Sequence, residues 1–207
     1  AGRYVQLISE QKYREAFLTA RSPNPFASVC GRVCAAPCED HCRRGKIDAP
    51  VTIRALKRYV TERYGVESLN PDTQDRLFEG ASEEGNKWQW HLPVQLEARK
   101  NITKGKKIAV IGSGPAGLSC AHDLALMGHR VTVFEATAVA GGMLYHGIPE
   151  YRLPRTLIQK EIEKIKSLGV EVRFNTPLTE TFGIKELRKE GYESVFISVG
   201  TQKGRDL

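Results

Sequence analysis

No apolar run in the 207-residue sequence comes close to the roughly 20 residues that a helical membrane span needs. The opening stretch, AGRYVQLISEQKYREAF, is too polar for a secretory signal peptide. With nothing pointing to export, a reducing cytoplasm is the expected setting, and a disulfide framework is not expected there. The C-x-x-C knuckle that structural zinc sites favour is also missing. So is any aromatic platform interleaved with basic residues, which argues against nucleic acid as the partner of a chain with net charge +7. The first residue is Ala1 rather than Met, which leaves processing or truncation open. No residue stands out as a nucleophile or general base.

What the sequence does contain is ordinary in bulk and unusual in placement. A hydrophobic fraction of 41% and a charged fraction of 27% describe a soluble globular protein, and the length allows two modest domains. Residues 1–65 carry 12 Lys/Arg against 6 Asp/Glu. An anionic metal cluster would balance that excess.

Four of the five cysteines fall at every fourth position of CGRVCAAPCEDHC, as Cys30, Cys34, Cys38 and Cys42. On one continuous helix each step of four advances about 6 Å and turns about 40° further, so Cys30 and Cys42 would lie about 18 Å apart. Thiolates so spread cannot share a site, so the segment must be broken, and Pro37 and Gly31 are the expected breaks. Arg32, Arg43, Arg44 and Lys46 would offset the charge of a bound cluster. Wide, even spacing favours an iron–sulfur cluster over zinc, because four thiolates must surround an inorganic cube rather than one ion. Zinc remains the alternative.

Helical periodicity over about residues 3–20 places Tyr4, Leu7, Ile8 and Phe17 near one face. Pro23 and Pro25 in RSPNPF end it, and a second helix starts after Pro50 with Ile53, Leu56, Val60 and Tyr64 as its apolar side. Residues 1–65 therefore read as a small helical domain. Residues 66–105 lack a sustained period and read as an extended connection whose Trp88 and Trp90 should pack on the chain's own domains. From 106 to 207 strands and helices alternate: KKIAVIG, then PAGLSCAHDLALMG, RVTVFE, TLIQKEIEKIKSLG, VEVRF, IKELRKE and SVFISVG. Such alternation implies a Rossmann-type parallel sheet. The fold class expected is a two-domain α+β chain, all-α first and α/β second.

VIGSGPAG holds G-x-G-x-x-G at Gly112, Gly114 and Gly117, directly after an expected strand and at the start of an expected helix. Gly112 permits the tight turn, Gly114 lets backbone amides approach a pyrophosphate, and Gly117 lets the helix pack close to the strand. The helix N-terminus supports the phosphates. The second strand ends at Glu135, 23 residues after Gly112, where a carboxylate can accept from ribose hydroxyls. No Arg follows in FEATAV, which argues against a 2'-phosphate at this site. NAD and FAD are not distinguished by the motif alone. AGGMLYHGIPEYRLP (140–154) reads as a Gly-rich loop in which Gly141 and Gly142 admit a ligand and Arg152 could reach a phosphate or flavin edge. His146 reads as structural or solvated, and Cys120 as a packing residue in the helix.

Taken together, NPFASVCGRVCAAPCEDHC…PVTIRALKR followed by IAVIGSGPAGLSCAHDLALMGHRVTVFEA…GGMLYHGIPEYRLP resembles the iron–sulfur flavoprotein NAD(P)H oxidoreductases. These include the small subunit of glutamate synthase and the N-terminal part of dihydropyrimidine dehydrogenase. The resemblance implies an α-helical ferredoxin-like domain with a [4Fe-4S] cluster, then an FAD-binding Rossmann-type half-domain. It implies that Gly112, Ser113, Gly114, Pro115, Ala116 and Gly117 hold the FAD pyrophosphate and Glu135 its ribose. Gly142, Met143 and Arg152 would line the flavin site, and Leu178 would make a backbone contact on the adenosine side. In the family a Gln or Glu of the next helix joins three cysteines as cluster ligand; Lys57 stands at that position here. Cys30 would then be the replacement, or one thiolate would serve a neighbouring cluster. The family also has another Cys motif upstream and continues into an NAD(P)H-binding domain. The chain therefore reads as a fragment, its electrons coming from NAD(P)H through a domain or partner not present and passing to an acceptor subunit or domain. The rival reading is a zinc-stabilised, NAD-binding interaction module without enzyme activity.

Overall fold

The computed structural model describes residues 1–22, 24–69 and 105–201. Pro23 and most of the expected connection, with Trp88 and Trp90, lie outside the described residues. The described residues fall into two compact units: 1–69 with 150–157, and 105–149 with 158–201.

The first unit is helical. α1 (Gly2–Ser9) and α2 (Tyr13–Arg21) replace the single helix expected over 3–20. The polar run Glu10-Gln11-Lys12 is exposed, so nothing in the core requires it to stay helical. Gln11 turns left-handed at φ 60°, and the Lys12 N–H closes the turn on the Leu7 carbonyl at 2.9 Å. α3 (Ala27–Val33), the short α4 (Pro37–Asp40), a 3-10 turn (Arg43–Lys46) and α5 (Ile53–Tyr64) follow. Tyr4, Ala16, Phe17, Ala20, Ile53 and Val60 form the core. Of the face expected on α5, Ile53 and Val60 are buried, while Leu56 and Tyr64 are half-buried. α3 crosses α5 closely because Gly31 has no side chain: a Cβ there would stand 3.0 Å from the Arg58 Cα. Gly31 is thus a packing residue inside α3, not one of the breaks.

The second unit carries the expected strand–helix alternation: β1 (Lys107–Ile111), α6 (Pro115–Leu126), β2 (Arg130–Phe134), α7 (Met143–His146), α8 (Arg155–Lys166, whose first turn belongs to the 150–157 segment), β3 (Glu171–Arg173), α9 (Ile184–Lys189) and β4 (Ser194–Ile197). All pairings are parallel, in the order β3-β2-β1-β4, with Val110 facing Val133 on one side and Phe196 on the other. After their first residues the middle strands are buried without alternation, as in a sheet covered on both faces, and Ala109, Val110 and Val133 are fully buried. Leu118, Ala121 and Ala125 of α6 and Ile158, Ile162 and Ile165 of α8 recur at helical spacing and are buried as well. The chain leaves β1 for β2 on one side and returns with β4 on the other. That reversal makes the carboxyl end of β1 a topological switch point, where open α/β sheets bind ligands.

Candidate functional site

The four cysteines lie on different local structures. Cys30 is inside α3, Cys34 follows it in extended backbone, Cys38 is in α4, and Cys42 is extended before the 3-10 turn. The break comes at Ala36, left-handed at φ 57°, and at Pro37, the first residue of α4. None of the cysteines is in a disulfide; Cys38 is exposed and the other three are half-buried. Backbone amides point at two of the sulfurs, among them Ala36 N–H at Cys34 Sγ (3.3 Å) and Val51 N–H at Cys42 Sγ (3.5 Å). The Val51 N–H, followed by that of Arg44, holds the Cys42 thiol below its ordinary pKa. Burial, and then the charges of Cys38, Cys34, Glu39 and Cys30, push the Tyr4 phenol up to about 12, so α1 faces this loop.

The basic residues expected to offset a cluster are partly committed elsewhere. Arg32 donates to Glu67 from Nε (2.9 Å) and Nη2 and lies 3.5 Å from Glu62, and Arg44 is paired with Asp48 at 2.6 Å. Lys57 lies with its ammonium 6.0 Å from the centre of the Tyr4 ring. Among the described residues, no three Cys, His, Asp or Glu side chains are gathered closely enough for one metal ion. The donor set nevertheless suits an iron–sulfur cluster: four thiols on a broken backbone, with N–H groups already directed at two of the sulfurs.

At the carboxyl end of β1 the Gly-rich turn has the geometry its sequence predicts. Gly112 takes φ 98°, which excludes a side chain, and a Cβ at Gly117 would lie 2.0 Å from the Gly112 carbonyl oxygen. Nothing lies within 4 Å of a Cβ built on Gly114, so the backbone there faces open space. The first intrahelical bond of α6 runs from the Leu118 N–H to the Gly114 carbonyl (3.0 Å), which leaves the preceding Ala116 and Gly117 amides as first-turn donors. Pro115 has no N–H to offer and fixes the first turn. This is a cradle a dinucleotide phosphate fits.

Ser113 and Glu135 depart from their expected roles. Ser113 is fully buried, and both its N–H (3.0 Å) and its hydroxyl donate to Glu135 Oε2. Thr137 donates its N–H (2.8 Å) and hydroxyl (2.9 Å) to Oε1. A carboxylate has about four lone-pair sites, and here the chain fills them itself. Burial alone would raise the carboxyl pKa; the bonds from Ser113 and Thr137 outweigh it and keep Glu135 below its ordinary range. Glu135 therefore ties the turn to the end of β2, and Ser113 directs no donor toward a phosphate. Thr137 had one legible signal, a hydroxyl residue two positions after a strand-end acid.

The 140–146 segment folds onto the turn. Gly141 N–H bonds to the Ser113 carbonyl (3.0 Å), and a Cβ on Gly142 would come within 2.9 Å of Gly114 Cα. Met143 and His146 lie on α7, a helical turn inside the stretch expected to be loop, and Met143 is 70% exposed. Arg152 is exposed in the 150–157 segment, which groups with the first unit. Leu178 is partly exposed after β3. Cys120 has its thiol pKa raised by burial and then by Asp123, as suits a packing residue.

Residues 1–68 match the family model described as dihydropyrimidine dehydrogenase domain II, 4Fe-4S cluster, and residues 110–154 match an NAD(P)-binding Rossmann-like domain. The chain is 42% identical over 199 residues to the beta subunit of NADP(+)-dependent formate dehydrogenase from Moorella thermoacetica, covering 95% of the chain and 27% of that protein. It is 34% identical over 201 residues to the glutamate synthase [NADPH] small chain of Bacillus subtilis (strain 168), covering 97% and 36%. It is 31% identical over 211 residues to the NAD-dependent dihydropyrimidine dehydrogenase subunit PreT of Escherichia coli O157:H7, covering 100% and 44%. The chain thus spans between about a quarter and just under half of these relatives' lengths. Two independent signatures in one order, with similarity along 95% or more of the chain, make it similar to segments of iron–sulfur, NAD(P)H-dependent oxidoreductase subunits.

Proposed function

We propose that this chain is the iron–sulfur and flavin segment of an NAD(P)H-dependent electron-transfer oxidoreductase. The observation that carries this is one chain joining a four-thiol loop on a broken helix to a Gly-rich turn, open above Gly114, at the sheet's switch point. Cys30, Cys34, Cys38 and Cys42 would hold a [4Fe-4S] cluster. Gly112, Gly114, Pro115, Ala116 and Gly117 would bind the FAD pyrophosphate. Ser113 would act through Glu135, and Glu135 would meet the ribose where its ties to Ser113 and Thr137 give way. Gly142, Met143, Arg152 and Leu178 complete the proposed flavin contacts. Bound there, flavin would supply the exchange between two-electron hydride chemistry and the single electrons that a cluster can carry. The described residues of this chain would bind, orient and shield.

The hydride donor site and the electron acceptor belong to other parts of the protein or to partner subunits. The relatives' names support a nicotinamide donor: NADP(+) for formate dehydrogenase, NADPH for glutamate synthase, NAD for PreT. Phe196, Ile197 and Val199 are 40–52% exposed at the β4 edge, an apolar border suited to further protein rather than water. A cytoplasmic location fits the free cysteines; among the described residues no helix is long and apolar enough to cross a membrane. Iron, sulfide, zinc and flavin assayed on one anaerobically purified sample test this reading. About four irons, four sulfides and one flavin per chain are expected. One zinc and no flavin would replace it with the interaction-module reading.

A further inference from the structure

Three contacts converge on the first turn of α5 from the cysteine loop. The Arg54 N–H donates to Glu39 Oε1 at 2.7 Å, so a side chain from α4 caps α5. Arg54 Nη1 donates to the Cys34 carbonyl at 2.8 Å. Just before α5, the Val51 N–H points at Cys42 Sγ. Cys38 lies between the two residues, Cys34 and Glu39, that Arg54 holds. All of these contacts are at least partly buried, so each is worth more than a surface bond.

We propose that Arg54 is the positioning residue of the four-cysteine loop: it fixes Cys34 and Glu39 against α5 and places one fixed cation beside the thiolates, with Glu39 as the opposing charge. The proposal rests on the reading that these cysteines hold an iron–sulfur cluster. A guanidinium suits the role because its fork is planar and permanently charged, whereas Arg32, Arg58 and Arg44 are engaged with Glu67, Glu62 and Asp48. Arg54 also meets Glu39 at a cleft of about 230 Å³ between α3 and α5. Exchange of either side chain for one of equal or smaller size therefore does not overpack the core.

The charges give the inference a signature that mere packing would not. Nearby net charge and hydrogen bonding set cluster reduction potentials. Removing the cation in Arg54→Gln makes an anionic cluster harder to reduce, and removing the anion in Glu39→Gln makes it easier, although the amide oxygen can still accept from the Arg54 N–H. Arg54→Lys restores the charge but not the fork.

The test is an EPR-monitored redox titration of the full-length protein and its Arg54→Gln, Arg54→Lys and Glu39→Gln variants, together with the rate of iron loss to a chelator. The expected result is a lower midpoint potential in Arg54→Gln, a higher one in Glu39→Gln, and a wild-type-like value in Arg54→Lys. Iron should leave several-fold faster from both Arg54 variants. If Arg54→Gln purifies without iron, the direction of the Glu39→Gln shift decides the matter. Unchanged potentials in a wild-type-like, cluster-loaded set would overturn the inference alone. Wild-type protein free of iron and sulfide would overturn the functional reading on which it rests.

Discussion

Ser113 donates both its backbone N–H and its hydroxyl to the same oxygen of Glu135, a residue 22 positions away. This pair joins the turn after β1 to the end of β2, so the conformation of the phosphate cradle depends on a buried carboxylate. Ser113→Ala removes one donor from that buried acceptor and should cost about 1–3 kcal/mol in urea unfolding.

The same contact predicts a pH dependence. Glu135 is held below its ordinary pKa of 4.5 in the folded protein. Its contribution is therefore fully present above about pH 4.5 and is lost as the pH falls through the lower folded value. The stability gap between wild type and Ser113→Ala should be constant from about pH 6 to 8 and should shrink below about 4.5. Urea melts across that range check the sign; a gap that widens in acid would contradict it.

Gly114 and Gly117 should fail in different ways when changed to Ala. Gly114 has φ −69°, and an added Cβ meets nothing within 4 Å. Gly114→Ala should fold with stability within about 0.5 kcal/mol of wild type. It should bind flavin roughly tenfold more weakly, about 1.4 kcal/mol, because the methyl fills the cradle. Gly117→Ala would place Cβ 2.0 Å from the Gly112 carbonyl oxygen and should lose about 2 kcal/mol or more of stability. Parallel unfolding and flavin-binding titrations separate the two.

Much of the fold is legible in the sequence because its signals are local. Apolar runs bounded by Gly mark β1 and β2, and four-residue spacing marks α5, α6 and α8. The helix expected over 3–20 divides at Gln11, where neither Gly nor Pro gives warning and only a polar triplet interrupts the apolar period. Gly31 looked like a breaker because its use, close approach to Arg58, depends on a helix more than 20 residues away. For the same reason the site was half legible. Spacing identifies Glu135 but not that Ser113 and Thr137 saturate it, and nothing local links Glu39 to Arg54.

Gly31→Ala tests that packing. The Cβ, 3.0 Å from Arg58 Cα, must push α3 away from α5, carrying Cys30 with it. We expect a loss of about 1–3 kcal/mol in unfolding free energy, accompanied by lower iron retention. Normal stability and iron content would show that α3 can slide without consequence.

Cysteine exchanges separate ligand from packing. Cys30→Ser should lower the iron bound per chain, whereas Cys120→Ser, in α6, should leave it unchanged. Full iron content in Cys30→Ser would remove Cys30 from the ligand set and leave three cysteines in need of another donor.

The central claim, that one chain holds both a flavin and a cluster as an electron relay, is tested most directly by counting electrons. Anaerobic titration of the purified protein with dithionite, followed by visible absorption and EPR, should show uptake of about three electrons per chain, two by flavin and one by the cluster. The flavin band near ~450 nm should bleach as a reduced-cluster signal grows. Uptake of no electrons, or of two with no cluster signal, would contradict the account.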